Sequence, residues 1–277
     1  MMLIIAGMTF REVLSKKIFY IVLVLTAMFL VVYGIALHFA VQDINKWGGV
    51  RNIQARLIFS QLLSLGLYFS TFMVALMAVF STVGSVSGEI ETGTIQAVIA
   101  KPLKRSELIL GKFLGYTVMM LSYSIVIYLG ILGITFISTG YEPSGLFSGL
   151  TSFLLIPLLL LVVSLCGSTF LSTMANGIMV FMLYIIGMVG GMVEQIGSMI
   201  ENTALVNIGI LSSLVMPSDA LYRKMVFGLL TGPDNPVTAF NPFSTMYPPS
   251  GIMTVYTIAY LLIVLFAAIR IFNRRDI

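Results

Sequence analysis

The sequence predicts an all-α integral membrane protein, and three observations support this class. Of its 277 residues, 58% are hydrophobic and 9% are charged, whereas about 25% of the residues of an ordinary soluble domain are charged. Six apolar stretches are long enough to cross a bilayer as helices. The only cysteine, Cys166, lies inside one of these stretches, which excludes a disulfide framework or a cysteine metal site.

The first 17 residues predict an amphipathic helix that lies in the membrane interface. Its apolar side is formed by Leu3, Ala6, Phe10, Val13 and Leu14, and its polar side by Arg11, Glu12, Ser15 and Lys16. This two-sided pattern is typical of a helix lying in the headgroup plane. The alternative interpretation is that these residues are simply the start of the first span.

Six membrane-spanning helices follow from the apolar pattern. Their predicted bounds are 18–41, 57–86, 108–138, 149–172, 177–193 and 251–272. An uncharged turn is expected at 173–176, between the fourth and fifth spans. The long segment 194–250 does not read as a span, because two moderately amphipathic helical pieces, 195–215 and 219–230, are separated by Pro217.

The distribution of lysine and arginine predicts the orientation. Ten of the 15 basic residues fall on the side of the two termini: Arg11, Lys16, Lys17, Lys101, Lys104, Arg105, Lys112, Arg270, Arg274 and Arg275. Five fall on the other side: Lys46, Arg51, Arg56, Arg223 and Lys224. The positive-inside rule therefore predicts a multi-pass protein of the cell (cytoplasmic) membrane with both termini cytoplasmic and an extracytoplasmic 194–250 insertion.

Several kinds of chemistry lack the residues they need. The chain has no H-E-x-x-H or G-x-S-x-G motif and no cluster of histidine with carboxylates, so we predict no catalytic, metal or cofactor site. It has no phosphate-binding P-loop, so energy for uphill transport would have to come from a separate subunit. No ionisable residue lies well inside spans two to six, which disfavours proton coupling. No basic domain is available for nucleic acid.

Charge is concentrated in the loop between the second and third spans. This loop, 87–106, begins with Gly88, Glu89, Glu91 and Gly93, continues into a short apolar helix around 95–99, and ends with Lys101, Pro102, Lys104 and Arg105. Pro102 ends the helix because the residue before a proline is pushed away from helical geometry. The simpler alternative is a solvated loop that obeys the positive-inside rule.

The order of motifs in this loop resembles that of ABC-2-type ABC-transporter permeases. The run from Gly88 to Thr94 contains E-x-E-x-G-T, followed by Pro102 with Arg105 and then by Gly111 with Lys112. The resemblance extends over the whole chain: an N-terminal amphipathic helix, six spans, an outer insertion before the sixth span and an Arg-Arg-Asp tail. The branch it resembles most groups copper-enzyme-maturation permeases with NatB-like exporters.

The resemblance implies a single ABC-2-type transmembrane domain over 1–277 and a function as the permease subunit of an ATP-driven exporter. The 87–106 loop would be a coupling helix seated on a separate ABC ATPase subunit, which binds ATP and Mg²⁺. Two permease copies, as a homodimer or related heterodimer, would line a path by alternating access. The residues implied to contact the ATPase are Gly88, Glu89, Glu91, Thr92, Gly93, Thr94, Ile95, Val98, Lys101, Pro102 and Arg105.

Other polar and small residues in the spans have two interpretations. The stripes Gln61, Ser64, Tyr68, Thr71 and Ser164, Ser168 are candidates to line the path, or they hold helices together by hydrogen bonds. Gly187 and Gly191 mark either a dimer contact or a close crossing within the chain. Because these stripes are uncharged, they favour a lipid-like, peptide or drug-like cargo over a strongly ionic one.

Two other functions remain as alternatives. The first is a membrane scaffold or assembly factor that anchors a partner without moving a substrate. The second is a membrane-embedded enzyme, which the missing catalytic residues disfavour. As a permease subunit or as a scaffold, the chain itself is not an enzyme.

Overall fold

The computed structural model describes residues 2–46, 53–93, 105–230 and 249–275, and the regular elements within these ranges are α-helices. They are α1 Met2–Ser15, α2 Lys17–Lys46, α3 Ile53–Thr82, α4 Ser87–Glu91, α5 Arg105–Thr139, α6 Leu146–Ser168, α7 Thr173–Met199, α8 Thr203–Val215, α9 Ser218–Leu230 and α10 Gly251–Arg274. The predicted all-α class is confirmed.

Within the described ranges, six helices are long and apolar enough to cross a membrane: α2, α3, α5, α6, α7 and α10. Each overlaps one of the six apolar stretches predicted from the sequence. α6 is central, because it contacts α3, α5, α7, α9 and α10. α2 and α10 are peripheral and bury few of their side chains, as expected for helices that face lipid or another subunit.

The two ends of the bundle differ in what they carry. The start of α1, the start of α5 and the end of α10 lie together at one end, here called the terminal end. Arg105 at the start of α5 donates to the carbonyl of Arg275 just after α10, at 2.6 Å. α8 and α9 belong to the other end, here called the opposite end.

α1 packs closely against the first third of α5, and two glycines make this possible. A Cβ at Gly111 would lie 2.8 Å from the Ile5 side chain, and one at Gly115 would lie 2.6 Å from the carbonyl oxygen of Ala6. The glycines are four residues apart and therefore share one helix face. Their spacing is the small-residue pattern that brings helix backbones together in membranes. Leu3 and Met8 remain exposed on the other face of α1.

The largest difference from the sequence interpretation is at α7. The expected turn at 173–176 is instead the first turn of α7, which runs from Thr173 to Met199, well past the predicted end at 193. Glu194, predicted to begin the non-spanning segment 194–250, belongs instead to this helix. In the structure its carboxylate forms an ion pair with Arg223 at 2.7 Å, so the charge is compensated and the helix continues.

α8 and α9 form a helical pair that enters the bundle and returns to the same end. α8 runs back along α7: a Cβ at Gly197 would lie 2.7 Å from Leu205 near the opposite end, and one at Gly187, deeper along α7, would lie 2.7 Å from the carbonyl oxygen of Met216. α9 then bends away from α8 by 103°. It finishes where Gly228 meets Gly145, just before α6.

The pair is therefore re-entrant and does not cross the bundle. The turn at Pro217, which interrupts the helix as the sequence predicts, lies at its deepest point. Gly187, Gly190 and Gly191 all face this pair rather than open space, which supports the close intramolecular crossing over a dimer contact for Gly187 and Gly191.

We expect Gly115→Ala to reduce the free energy of unfolding by about 1–3 kcal/mol, because the added methyl group meets a backbone carbonyl of α1 that cannot rotate away. The measurement is denaturant or thermal unfolding of the purified protein in detergent. Gly133→Ala in the same helix is the control, since its Cβ would meet nothing within 4 Å, and it should be neutral or stabilising by up to about 1 kcal/mol. Equal effects of the two substitutions would contradict the close α1–α5 packing.

Candidate functional site

The charged segment after α3 forms a turn and then the short helix α4 at the terminal end. Thr92 closes this helix: its backbone N–H and its hydroxyl both donate to the Gly88 carbonyl, at 3.0 and 2.8 Å. Gly93 follows with a positive φ of 72°, a conformation that glycine adopts without the steric penalty of a Cβ. The E-x-E-x-G pattern therefore encodes one helical turn and its termination.

Glu89 of α4 is held by a lysine from α5. The Lys112 ammonium lies 2.6 Å from Glu89 Oε1 and also donates to the Ser85 carbonyl at 2.5 Å. The Lys112 side chain is only 3% exposed, whereas that of Glu89 is 27% exposed. A buried cation without a partner is strongly destabilising, so Lys112 fixes both the turn before α4 and the first acidic residue of α4 against α5.

Glu91 of α4 binds the beginning of α7. Its two carboxylate oxygens accept hydrogen bonds from the backbone N–H of Thr173, at 2.9 Å, and from the Thr173 hydroxyl, at 3.1 Å. Ser87 adds a contact of 2.9 Å between its hydroxyl and that of Thr173. The first N–H groups of a helix have no partner within the helix and attract negative charge. Glu91 therefore caps α7 from another part of the chain.

Asn176 joins three helices immediately behind this cap. Its fully buried side-chain amide donates to the carbonyl of Val83, just after α3, at 2.8 Å and to that of Ser164 on α6 at 2.9 Å. The side chain fits there because Gly167 has no Cβ, which would lie 2.1 Å from Asn176 Oδ1. The position of the first turn of α7 is thus fixed by its hydrogen bonds to α3, α4 and α6 together.

The end of α10 closes the same region from the side. Arg105 Nη1 donates to the Arg275 carbonyl at 2.6 Å, and Arg275 Nη1 donates to the Thr169 carbonyl at 2.5 Å. Thr169 directly follows α6, so these two arginines connect the beginning of α5, the end of α6 and the end of α10. Arginine suits this task because its planar group presents several donors in fixed directions.

The structure brings together only part of the coupling residues expected from the sequence. The region where α4 meets the beginnings of α5 and α7 and the ends of α6 and α10 is called the junction here. It contains six of the expected residues: Gly88, Glu89, Glu91, Thr92, Gly93 and Arg105. Thr94, Ile95, Val98, Lys101 and Pro102 lie outside the described residues. In the described part, the two carboxylates are bonded within the chain, whereas Thr92 and Gly93 are exposed beside the equally exposed Glu91.

The residues suggested to line a path lie mostly in helix contacts of the same chain. The Ser64 carbonyl accepts the Tyr222 hydroxyl at 2.8 Å, and Thr71 lies 3.5 Å from the Tyr184 hydroxyl. Ser168 contacts the Ser85 hydroxyl at 3.0 Å. Tyr68 packs edge to face on the ring of Tyr222. Ser164 is buried, and Gln61 is half-buried on α3.

Three residues of the junction were not singled out as site residues from the sequence: Lys112, Thr173 and Asn176. Lys112 was noted as a basic residue on the side of the termini and as part of the family motif, and its burial depends on packing between α3, α4 and α5. A lone Asn at the start of an apolar helix was the one available signal for Asn176. In the described part of the chain, no group of three or more His, Cys, Asp or Glu side chains is placed to hold a metal ion.

Comparison with known proteins gives the family. No curated protein matches the chain. The profile of the ABC-2 family transporter proteins matches residues 3–277, which is almost the whole sequence. With its six apolar helices, the chain therefore belongs to the ABC-2 family of transporter proteins, as a membrane permease component of an ABC transporter.

Proposed function

We propose that this chain is the permease subunit of an ATP-driven exporter, works as a dimer, and is driven through the 87–106 segment by a separate ABC ATPase. The observation that carries the proposal is that each acidic side chain of α4 holds a different membrane helix. Glu89 binds α5 through Lys112, and Glu91 binds α7 through Thr173. An element that an ATPase displaces would therefore move two spans at once.

The direction of force follows from where these contacts lie. Thr173 is the first residue of α7, so a displacement of α4 acts on the end of that helix. Lys112 lies in the third turn of α5 and is buried, so the same displacement acts on the side of α5. α4 has only five residues and is too short to absorb the motion by bending.

The exposed face of the junction is the surface we assign to the ATPase. Glu91, Thr92 and Gly93 are exposed at the terminal end, and the family implies an ABC ATPase partner. ATP and Mg²⁺ would bind to that partner, and closure of two ATPase subunits would reach the permease dimer through α4. Alternating access then follows as a shift between two arrangements of the spans, biased by the nucleotide.

Replacing Glu91 tests the coupling. Glu91→Ala removes the acceptor for the Thr173 N–H and hydroxyl. Such a cap stabilises a helix by about 1 kcal/mol. We expect permease-stimulated ATP turnover by the complex to fall about fivefold, the factor that corresponds to such a loss, while the purified permease stays folded. The measurement is ATP hydrolysis by the ATPase with and without permease in lipid nanodiscs, together with binding of the two subunits.

Glu142→Ala is the control for this prediction. Glu142 is an exposed glutamate that follows α5 at the opposite end, so its loss should leave turnover unchanged. If Glu91→Ala leaves both ATP turnover and ATPase binding intact, the coupling role is wrong. If the complex hydrolyses ATP normally but moves none of a panel of lipids, peptides and drug-like solutes, the scaffold alternative is favoured instead.

Orientation is tested by thiol labelling in a Cys166→Ser background, which removes the only native thiol. Arg11→Cys on α1 and Glu142→Cys after α5 are both exposed positions. With cytoplasmic termini, a membrane-impermeant maleimide should label Glu142→Cys on intact cells and Arg11→Cys only after the membrane is permeabilised. The reverse labelling pattern would place the 87–106 segment outside the cell and remove its access to an ATPase.

A further inference from the structure

The re-entrant pair α8–α9 brings ionisable side chains into the bundle, in addition to the spans predicted from the sequence. A small cavity lies where α9 begins. It borders Ile156, the eleventh of 23 residues in α6, Tyr184, the twelfth of 27 in α7, and Tyr68, the sixteenth of 30 in α3. The cavity is therefore about halfway along three membrane helices. Asp219 thus lies inside the bundle without belonging to any of the six spans, and the sequence prediction concerned only the spans.

The cavity is small, and most of the residues around it carry oxygen. Its volume is about 10 Å³, close to the minimum for one water molecule. It is lined by Tyr68 and Thr71 of α3, Ile156 of α6, Tyr184 and Met188 of α7, and Ser218, Asp219 and Tyr222 of α9. Asp219 is the only lining residue that is normally charged at neutral pH.

Asp219 belongs to a three-residue charge cluster that joins α9 to α7. Arg223 Nε lies 3.0 Å from Asp219 Oδ2, and Arg223 Nη2 lies 2.7 Å from Glu194 Oε2. The side chains of Arg223 and Asp219 are 5% and 4% exposed, whereas Glu194 is 22% exposed. The Arg223–Glu194 contact is a hydrogen-bonded ion pair, but the Asp219 contact lacks the alignment of a hydrogen bond.

The charges of this cluster do not balance when all three groups are ionised. Two carboxylates and one guanidinium give a net charge of −1. Among the described residues, the other elements around Asp219 do not supply a second cation. α8 has no ionisable residue, the neighbouring polar groups on α3 and α7 are hydroxyls apart from Glu194, and Lys224 is directed to Thr254 on α10. An uncompensated charge at this depth is costly.

We propose that Asp219 is a proton-binding site and that proton uptake controls how firmly α9 is held against α7. A proton taken from water converts the Asp219 carboxylate to a neutral carboxyl, and the cluster becomes a one-to-one pair of Arg223 with Glu194. Asp219 and Arg223 lie one turn apart on α9, so ionised Asp219 shares the guanidinium with Glu194 and places a second negative charge beside it. Protonated Asp219 leaves Arg223 to Glu194 alone and strengthens the ion pair that holds α9 to α7. This inference does not depend on the ATPase proposal.

Close packing makes the pair sensitive to this change. A Cβ at Gly191 would lie 1.6 Å from Asp219 Oδ2, and one at Gly190 would lie 1.6 Å from the Ser212 hydroxyl. Asp219 therefore rests directly on the backbone of α7, with no intervening side chain to accommodate a shift. A proton is favoured over a metal cation as the ligand, because the Arg223 guanidinium already lies beside the carboxylate and repels a second positive ion.

Infrared spectroscopy tests proton binding directly on the purified full chain in lipid nanodiscs. Difference spectra between about pH 8 and about pH 5, the range in which a buried carboxyl can titrate, should contain the carbonyl band of a buried protonated carboxyl. We expect Asp219→Asn to abolish the band. Glu194→Gln should keep it but move its midpoint to lower pH, because removing a nearby negative charge favours ionised Asp219.

Hydrogen exchange of the α9 amides, corrected for the intrinsic pH dependence of exchange, tests the structural consequence. In the unsubstituted protein, exchange should be slower at the lower pH, because Arg223 then pairs with Glu194 of α7 alone, and in Asp219→Asn it should match the low-pH level throughout. A band that persists in Asp219→Asn, or exchange in the unsubstituted protein that does not change with pH, would overturn the proposal. If Asp219→Asn fails to fold, the Glu194→Gln variant is sufficient as a test. An unchanged midpoint of its carboxyl band would then overturn the proposal. A midpoint that depends on replacing sodium by choline would assign the site to a metal cation instead.

Discussion

A charged or polar side chain inside an apolar bundle must find its partner within the chain, and much of this architecture depends on that constraint. In hydrocarbon no water is available to satisfy such a group. Lys112 is the clearest case: it is almost completely buried and reaches both Glu89 and the Ser85 carbonyl. Its partners lie in the turn before α4 and in α4 itself. Satisfying this one ammonium group of α5 therefore determines where α4 lies against α5.

The same constraint acts at each end of the bundle with different residues. At the terminal end, Glu91 and Asn176 satisfy the start of α7 and the carbonyls of the turn after α3 and of α6. At the opposite end, Arg223 connects α9 with Glu194 on α7. α7 is the helix common to both networks. In the proposed exporter it is therefore the element through which an event at α4 and an event at the re-entrant pair can affect each other.

The parts of the fold that follow from local pattern could be predicted from the sequence. Six apolar stretches gave six spans, and Pro217 marked the break between α8 and α9. The start of α7 could not be predicted, because its cap is supplied by Glu91, 82 residues earlier in the chain. The re-entrant arrangement of α8–α9 could not be predicted either, because it depends on glycines of α7 whose contacts are distant in the sequence. The Gly111 and Gly115 spacing, by contrast, was readable as a close helix contact.

For the candidate site, the sequence predicted which segment forms it but not the contacts that its residues make. The motif of two glutamates followed by glycine pointed to α4, but not to the partner of each carboxylate. A double-mutant cycle on Glu89 and Lys112, measured by permease-stimulated ATP turnover, tests most directly whether this junction transmits force as a unit. We predict that Glu89→Gln and Lys112→Met each reduce turnover and that the double variant is no slower than the slower single variant. Reductions that multiply, as for independent sites, would contradict the account.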